Sequence, residues 1–264
     1  MASSKGRKPP GPPDPTDELR TLAQLLNLTA LRDTLPELLA RAESDELSYS
    51  DFALLMLRFE AQTRQSRRLT RNLKRSGLPQ LVEGLDGFDF SIRPKLEPRV
   101  VKELLNCRWV EDKRNIICVG RPGLGKTRVL DALAKAACLR GYTVLNVNTA
   151  EMLEDLHGSL ADGTYKRTFR RYEKPDVLYA DEFGYDPFDA TATKHLFRLV
   201  SARHGNRSTL IAANTGFANW KRFFPSEAQA VATVDRLIDR ATILRFTGKS
   251  KRTPLETHGA DVNE

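Results

Sequence analysis

The chain has 264 residues, of which 40% are hydrophobic and 29% charged, and 42 Lys and Arg against 34 Asp and Glu give a formal net charge of +8. This composition is typical of a globular protein and excludes collagen-like, mucin-like and wholly disordered chains. The basic excess favours a polyanionic partner such as nucleic acid. No apolar run is long enough to span a bilayer and no secretory signal is recognisable, so we expect no membrane partner and a cytoplasmic location.

The sulfur and imidazole side chains give little indication of metal or redox chemistry. The three cysteines, Cys107, Cys118 and Cys138, lie in apolar or helical contexts without CxxC spacing. We therefore predict buried, reduced thiols. The four histidines are scattered and none pairs with a cysteine at ligand spacing, so no zinc site is expected.

The N-terminal third of the chain has a helical pattern. Leucines recur at helical spacing over residues 18–81, which predicts a small all-α N-terminal domain. Ser48 and Asp51 form a capping box at the start of a long helix, and Gly77 follows its end. Residues 82–98 are rich in Gly, Asp and Pro, which predicts a linker.

The periodicity changes after the linker, because short apolar runs then alternate with helical segments. Such alternation is typical of an α/β domain, with a mostly parallel sheet and helices on both faces. We predict this domain over residues 99–253, and flexible tails at residues 1–17 and 254–264. The five predicted strands are residues 115–119, 143–147, 177–180, 209–213 and 243–246.

The first predicted strand runs directly into a GxxxxGK[ST] loop, and a helix follows it. Glycines in such a loop let backbone N–H groups wrap the phosphates of a nucleotide. Lys126 is placed to contact the β- and γ-phosphates, and the Thr127 hydroxyl can ligate Mg²⁺. A chance glycine-rich turn is the alternative, and the flanking strand and helix disfavour it. The predicted binding residues are Gly120, Arg121, Pro122, Gly123, Leu124, Gly125, Lys126, Thr127 and Arg128.

Two acids end the third predicted strand. Asp181 is placed to hold the metal, and Glu182 to polarise an attacking water. An acidic turn without function is the alternative interpretation. The pair favours hydrolysis, because phosphoryl transfer to a small molecule needs no acid that activates water.

An asparagine and one of two arginines complete the predicted site. Asn214 follows the fourth strand, where it would face the ligand crevice and contact the γ-phosphate or the attacking water. Arg236 and Arg240 share one helix face before the last strand, and either could stabilise the transition-state charge of a neighbouring subunit. The alternatives are ordinary turn chemistry at Asn214 and an exposed helix whose arginines pair with Asp235 and Asp239.

The sequence has a set of recognisable stretches that cover most of the chain. They are residues 47–52, 67–71, 78–79, 87–91, 120–127, 175–185, 208–214, Trp220 and 235–237. Together they resemble the IstB family, the AAA+ helper ATPases of bacterial insertion-sequence transposition, which are related to the DnaC helicase loaders. One departure is Leu124, where related loops commonly have Thr; because the backbone binds the phosphates, we expect no effect on phosphate binding.

This resemblance implies an N-terminal helical domain followed by an AAA+ P-loop domain without the large helical lid. It further implies ATP and Mg²⁺ as ligands, and a homo-oligomer that forms on DNA and stimulates a transposase. Arg236 matches the family's Asp-Arg-Leu arginine, so it becomes the first candidate for the trans-acting residue. The implied location is the bacterial cytoplasm, at the nucleoid when bound to DNA.

Two basic clusters are candidates for DNA contacts. Six side chains of the long N-terminal helix fall within a sector of about 120°, and no acid lies between residues 61 and 82. A stripe of one sign favours a polyanion, although a solvated helix face is the alternative. Neither cluster alternates with aromatic residues as single-strand binders do, so we expect backbone contacts to duplex DNA. The clusters are Arg64, Arg67, Arg68, Arg71, Lys74 and Arg75, and Lys166, Arg167, Arg170 and Arg171.

Three other functions compete with a DNA-stimulated ATPase of transposition. A DnaC-like helicase loader would bind a helicase and single-stranded DNA. A small-molecule kinase would be a monomer that phosphorylates its substrate, which the Asp181–Glu182 pair disfavours. A DNA-binding protein with an inactive nucleotide site is disfavoured because every catalytic position is filled.

Overall fold

The computed structural model describes residues 14–79, 81–82, 84–248 and 250. These residues form two compact units that divide between Thr70 and Arg71. The sequence predicts a helical domain over residues 18–81 and a linker over residues 82–98. Part of that predicted linker belongs to the second unit, because Leu85, Phe88 and Phe90 pack against its core and Leu96 is buried in it.

The first unit contains the N-terminal helices α1 (Pro15–Leu25), α2 (Thr29–Ser44) and most of α3 (Tyr49–Arg75). Helix α1 begins inside the predicted tail because the Asp14 carboxylate caps it by accepting the Thr16 N–H. Residues 1–13 of that tail lie outside the described residues. The predicted capping box is present, since the Asp51 N–H donates to Ser48 Oγ at 3.2 Å.

The core of the first unit is small and includes one carboxylate. Leu31, Leu35 and Leu38 pack against apolar side chains of α3. Glu60 is also buried and accepts the Leu31 N–H at 2.8 Å and Arg64 Nε at 2.7 Å. Burial acts to raise the pKa of Glu60, but these hydrogen bonds outweigh it and lower the pKa below its usual value.

The second unit is built on a five-stranded parallel sheet with the order β2-β3-β4-β1-β5. This confirms the predicted AAA+-type α/β fold with an all-α start. Each strand lies within a few residues of its predicted position. The strands are β1 (Ile116–Val119), β2 (Val144–Asn148), β3 (Val177–Phe183), β4 (Ser208–Ala213) and β5 (Thr242–Arg245).

Helices cover both faces of the sheet because successive strand residues point to opposite sides. Ile116 and Cys118 face the core that α6 shares with the segments before β1, whereas Ile117 and Val119 face the core on the other side. The helices are α4 (Pro98–Leu104), α5 (Arg108–Glu111), α6 (Lys126–Leu139), α7 (Thr149–Gly158), α8 (Tyr165–Glu173), α9 (Ala190–Arg203) and α10 (Glu227–Ile238), with a 3₁₀ helix at Phe217–Phe223.

Two simpler expectations concern the cysteines and the membrane. Cys107, Cys118 and Cys138 are all buried, as predicted, and carry free thiols. Burial raises the pKa of the Cys138 thiol to about 11. In the part of the chain that the structure describes, no helix is long and apolar enough to cross a membrane. The predicted tail at residues 254–264 lies outside that part.

Candidate nucleotide-binding site

The predicted phosphate loop connects β1, which lies between β4 and β5, to the first turn of α6. Gly120 has a φ of +155° and leaves no room for a Cβ atom against the carbonyl of Phe246. Gly125 has a φ of +88°, and a Cβ there would lie 2.8 Å from the Phe88 ring. Both positions therefore require glycine. The loop leads into the N-terminus of α6, where the helix dipole favours an anion.

Lys126 is held at the centre of the loop. The side chain is 6% exposed, and Nζ donates to the carbonyl oxygens of Gly120 at 2.7 Å and Arg121 at 3.0 Å. Nζ also donates to Asn214 Oδ1 at 2.9 Å. Strand β4 lies beside β1, so Asn214 reaches the loop from the adjacent strand end. The structure thus brings together the predicted phosphate-binding lysine and the predicted polar residue after the fourth strand.

The two acids occupy an irregular end of β3. The register between β3 and β4 shifts between Ala180 and Phe183, and Glu182 has a φ of +53°. A non-glycine residue in this region is strained, which is a frequent property of functional sites. The irregularity leaves Asp181 half-buried and Glu182 exposed, with the Glu182 N–H donating to Asp181 Oδ1 at 2.9 Å.

The electrostatics at Asp181 suit a cation. Burial raises the pKa of Asp181, and the Glu182 carboxylate adds to the effect, whereas the hydrogen bond from Glu182 N–H and the Lys126 charge oppose it. The Thr127 hydroxyl lies on an exposed residue in the first turn of α6. A carboxylate and a hydroxyl are oxygen ligands of the type that Mg²⁺ takes in nucleotide sites. These residues therefore fit the predicted metal.

Asn148 is a site residue that the sequence analysis missed. It ends β2, the strand beside β3, and its Nδ2 donates to Glu182 Oε2 at 2.6 Å. Its Oδ1 accepts the Ala150 N–H at 2.9 Å and so caps α7. The signal was present, because Asn148 follows a predicted strand in the same way as Asn214. Asn before a helix is also ordinary capping chemistry, so this position alone does not indicate a site.

Water can reach Glu182 through an open cavity. The cavity has a volume of about 570 Å³ and lies between α7 and the loop after β3. Asn148, Glu182, Glu154 and Tyr185 are among its lining residues. The general base candidate therefore lies between the Asn148 amide and solvent.

The loops that follow β3 and β4 rest on one cluster of aromatic rings. Phe183 contacts Trp220 and Phe188, with centroids at 4.7 and 5.6 Å. Trp220 Nε1 donates to the carbonyl of Thr215, directly after Asn214. The cluster, hereafter the aromatic floor, comprises Phe183, Phe188, Phe217, Trp220, Phe223 and Phe224.

Comparison with known proteins identifies the family of this chain. The profile of the "IstB-like ATP binding protein" family matches residues 21–258. The chain belongs to the IstB-like family. It is 32% identical over 235 residues to an ATP-binding protein of insertion sequence IS21 from Pseudomonas aeruginosa, covering 89% of this chain and 88% of that protein. It is 28% identical over 227 residues to the corresponding protein of IS5376 from Geobacillus stearothermophilus, covering 86% and 90% of the two chains.

Solved structures with similar folds support the fold assignment of this IstB-like chain. A DNA replication initiation factor superposes with a TM-score of 0.53 at 19% identity, covering 64% of this chain and 50% of that one. DnaI superposes with a TM-score of 0.51 at 21% identity, covering 56% and 84%. At this level of identity the similarity concerns the AAA+ P-loop fold alone.

Not every predicted site residue of the IstB-like chain lies at the phosphate loop. The Arg128 guanidinium donates to the carbonyl oxygens of Gly84 at 3.2 Å and Asp86 at 2.9 Å, and it lies 5.8 Å from the Phe88 ring centroid. Its charge is therefore turned towards the segment before β1 rather than towards the phosphates. The Leu124 side chain is buried in the core, and only its main chain belongs to the loop.

The candidate arginines lie at the opposite edge of the sheet. Arg236 donates to the Ala232 carbonyl at 2.8 Å and stacks on the Phe197 ring at 4.8 Å. The next carbonyl, that of Leu237, accepts from Asn115 at the start of β1. Strand β1 has four residues, so about 13 Å of strand separates this edge from the phosphate loop. Arg240 is exposed nearby, and Asp239 pairs with His204 rather than with an arginine.

Some side chains of the two basic clusters form ion pairs or hydrogen bonds within the protein. All six side chains of the α3 stripe are exposed, but Arg64 pairs with Glu60 and Arg67 Nη1 donates to Thr29 Oγ1 at 2.7 Å. The four basic residues of α8 are also exposed, and Arg171 pairs with Asp155 at 3.3 Å. The aromatic residues of α8 turn inward: Tyr165 and Phe169 pack against the core, and Tyr172 is buried in it.

Proposed function

We propose that this protein is an ATPase that assembles on duplex DNA and delivers that DNA to a transposase. The observation that carries the proposal is the convergence of Lys126, Asn214 and the Asp181–Glu182 pair at the carboxyl edge of one parallel sheet. Ligands of open α/β sheets bind at this edge. Membership of the IstB-like family supports ATP as the ligand, and the insertion-sequence origin of the relatives supports transposition as the process.

Each residue has a distinct task in the proposed reaction. Loop N–H groups and Lys126 bind the β- and γ-phosphates, and Asn214 orients Lys126 and the γ-phosphate. Glu182 accepts the proton of the attacking water, while its hydrogen bond to Asn148 fixes the carboxylate. Thr127 and Asp181 would hold Mg²⁺, which when bound neutralises phosphate charge.

A helicase loader of the DnaC type is the second candidate. The fold similarity to DnaI is compatible with it. The first 81 residues favour transposition, because the match to the IstB-like family begins at residue 21. Affinity purification of the tagged protein from its host tests the choice: recovery of a transposase supports transposition, and recovery of the replicative helicase supports loading.

Replacing Glu182 with Gln should separate ATP binding from hydrolysis. The amide keeps the shape of the side chain but cannot accept a proton from water. We therefore expect the rate of ATP hydrolysis to fall by about 10²-fold or more, which is the usual contribution of a general base. ATP affinity measured by calorimetry should stay within about twofold, because loop and lysine are unchanged, and complexes with DNA should persist.

Two control variants are compared with Glu182→Gln. Glu154 lines the same cavity and is exposed, so Glu154→Gln should hydrolyse ATP at the wild-type rate. Lys126→Ala should lose ATP binding altogether, because the loop then lacks its cation. Normal turnover by the Glu182→Gln protein would remove Glu182 from the mechanism.

Reversing charge on the exposed end of the α3 stripe should weaken DNA binding. Arg71, Lys74 and Arg75 are suitable because Arg64 and Arg67 also hold the first unit together. Each lost phosphate contact lowers the slope of log K against log salt by about 0.9, so the triple Glu variant should lose roughly 3 units of slope. ATP affinity should not change.

A matched control separates a local contact from net charge. Arg99, Lys102 and Arg108 are exposed basic residues of α4 and α5, and their triple Glu variant has the same charge change. We expect it to keep most of the salt slope. If both triple variants behave alike, the α3 stripe is not the contact surface, and the basic residues of α8 become the next to test.

A further inference from the structure

Arg93 is a buried guanidinium that contacts the phosphate loop from behind. Its side chain belongs to the segment before β1, which the sequence analysis treated as a linker, and it is only 3% exposed. Nε donates to the carbonyl of Leu124 at 2.8 Å, and Nη1 donates to the carbonyl of Ile92 at 3.0 Å. Leu124 lies within the phosphate loop, two residues before Lys126.

The Leu124 carbonyl needs such a partner if the loop is to bind an anion. A loop that turns its N–H groups towards phosphate must turn carbonyls away from it. A buried carbonyl without a donor costs free energy, and a charged donor gives a stronger hydrogen bond than a neutral one. The Leu124 side chain is 3% exposed and fixed in the core. Arg93 and the core therefore hold this residue from two sides.

The segment that carries Arg93 is itself anchored around the loop. The Phe88 ring packs against Gly125, and Arg128 donates to the carbonyls of Gly84 and Asp86. Gly248, after β5, approaches the Ile92 carbonyl so closely that no Cβ would fit. These contacts fix the backbone segment that carries Arg93, and a residue can orient another group only if its own position is fixed.

We propose that Arg93 is a positioning residue for the phosphate loop, acting on ATP through the Leu124 carbonyl. This inference rests on the proposed ATP binding and adds a residue outside the recognised loop motif. It acts on every nucleotide whose phosphates fill the loop, so ATP and ADP affinity fall together when the contact is lost. The catalytic rate of bound ATP changes far less, because Glu182 and Asn214 are not touched by Arg93.

The test compares variants at Arg93 with one of similar burial, Leu96→Ala, at a side chain that offers no hydrogen-bond donor to the Leu124 carbonyl. Arg93→Met leaves the Leu124 carbonyl without its charged donor, so the variant should raise the Kd of ATP and of ADP by about tenfold or more. Arg93→Lys keeps the charge and should lie between Met and wild type. Leu96→Ala removes a buried side chain of the same segment. It should lower the Tm while leaving Kd within about twofold.

Chemical rescue distinguishes positioning from general destabilisation. Millimolar guanidinium should lower the Kd of ATP for Arg93→Ala and leave that of Leu96→Ala unchanged. Wild-type Kd in Arg93→Met, or the same Kd shift in Leu96→Ala as in Arg93→Met, would overturn the role of Arg93. Wild-type protein that fails to bind ATP would instead overturn the proposed function, so the two failures can be told apart.

Discussion

Replacing Arg236 with Ala should abolish ATP hydrolysis at any protein concentration while leaving ATP binding intact. In the proposed site Lys126 and Mg²⁺ would neutralise charge on the inner side of the γ-phosphate, and we expect its outer face to need a further cation in the transition state. An arginine supplied by a neighbouring subunit is worth about 10³–10⁵ in rate. Arg236 lies at the amino edge of the sheet, so it cannot reach the loop of its own subunit. Wild-type specific activity should accordingly rise with protein concentration and with DNA that holds several subunits.

The decisive experiment mixes two inactive proteins. Arg236→Ala retains a complete loop, and Lys126→Ala retains Arg236, so mixed assemblies contain some interfaces with both residues. We expect activity to reappear in the mixture, measured as phosphate release. Co-assembly without activity would mean that Arg236 does not act in trans, and the same experiment with Arg240→Ala would then follow. Unchanged ATP affinity in Arg236→Ala controls for the loss of its stacking on Phe197.

Replacing Arg203 with Met should destabilise the protein more than any surface substitution. Arg203 is 2% exposed and its guanidinium donates to the carbonyls of Tyr172, Glu173, Pro175 and Ser208. Burial lowers its pKa to about 9, so it remains charged at neutral pH. Methionine keeps the aliphatic stem but leaves those acceptors without a donor. Unsatisfied buried groups of this kind cost about 3–5 kcal/mol together, which urea unfolding would register.

Arg198 provides the matched control on the same helix. It is exposed and lies over the Tyr165 ring at 5.3 Å, an interaction worth about 0.5–1 kcal/mol at a surface. Arg198→Met should therefore lower the free energy of unfolding by less than about 1 kcal/mol. Similar losses in both variants would mean that the carbonyl network around Arg203 is not what stabilises this edge of the sheet.

The sheet could be predicted closely because parallel strands are buried on both faces and give short continuous apolar runs. Strand β3 extended further than predicted, since Asp181 and Glu182 ended the apolar run although the backbone continues to Phe183. The GxxxxGK[ST] motif predicted the position of Lys126, and the end of the fourth apolar run predicted that of Asn214. Their mutual hydrogen bond was not predicted. Asn148 follows the same rule and would have been found by applying it to every strand.

The segment around Arg93 could not be predicted in the same way. Gly, Asp and Pro indicate irregular backbone, but composition does not distinguish an exposed linker from a loop packed on a core. The apolar residues Phe88, Phe90 and Leu96 have no periodic spacing, so neither helix nor strand arguments applied to them. The trans role of Arg236 depends on a second subunit and stays a prediction.

The aromatic floor has a consequence for how the active-site loops can move. Phe183 and Phe188 lie beneath the loop after Glu182, while Trp220 holds the turn after Asn214, and the rings contact one another. Interiors packed to this density do not yield at one point alone. Glu182 and Asn214, the proposed general base and γ-phosphate contact, therefore adjoin one packed cluster, and we expect them to shift together. We therefore expect substitutions that shorten side chains of the aromatic floor to slow ATP hydrolysis without a change in Lys126, Glu182 or Asn214.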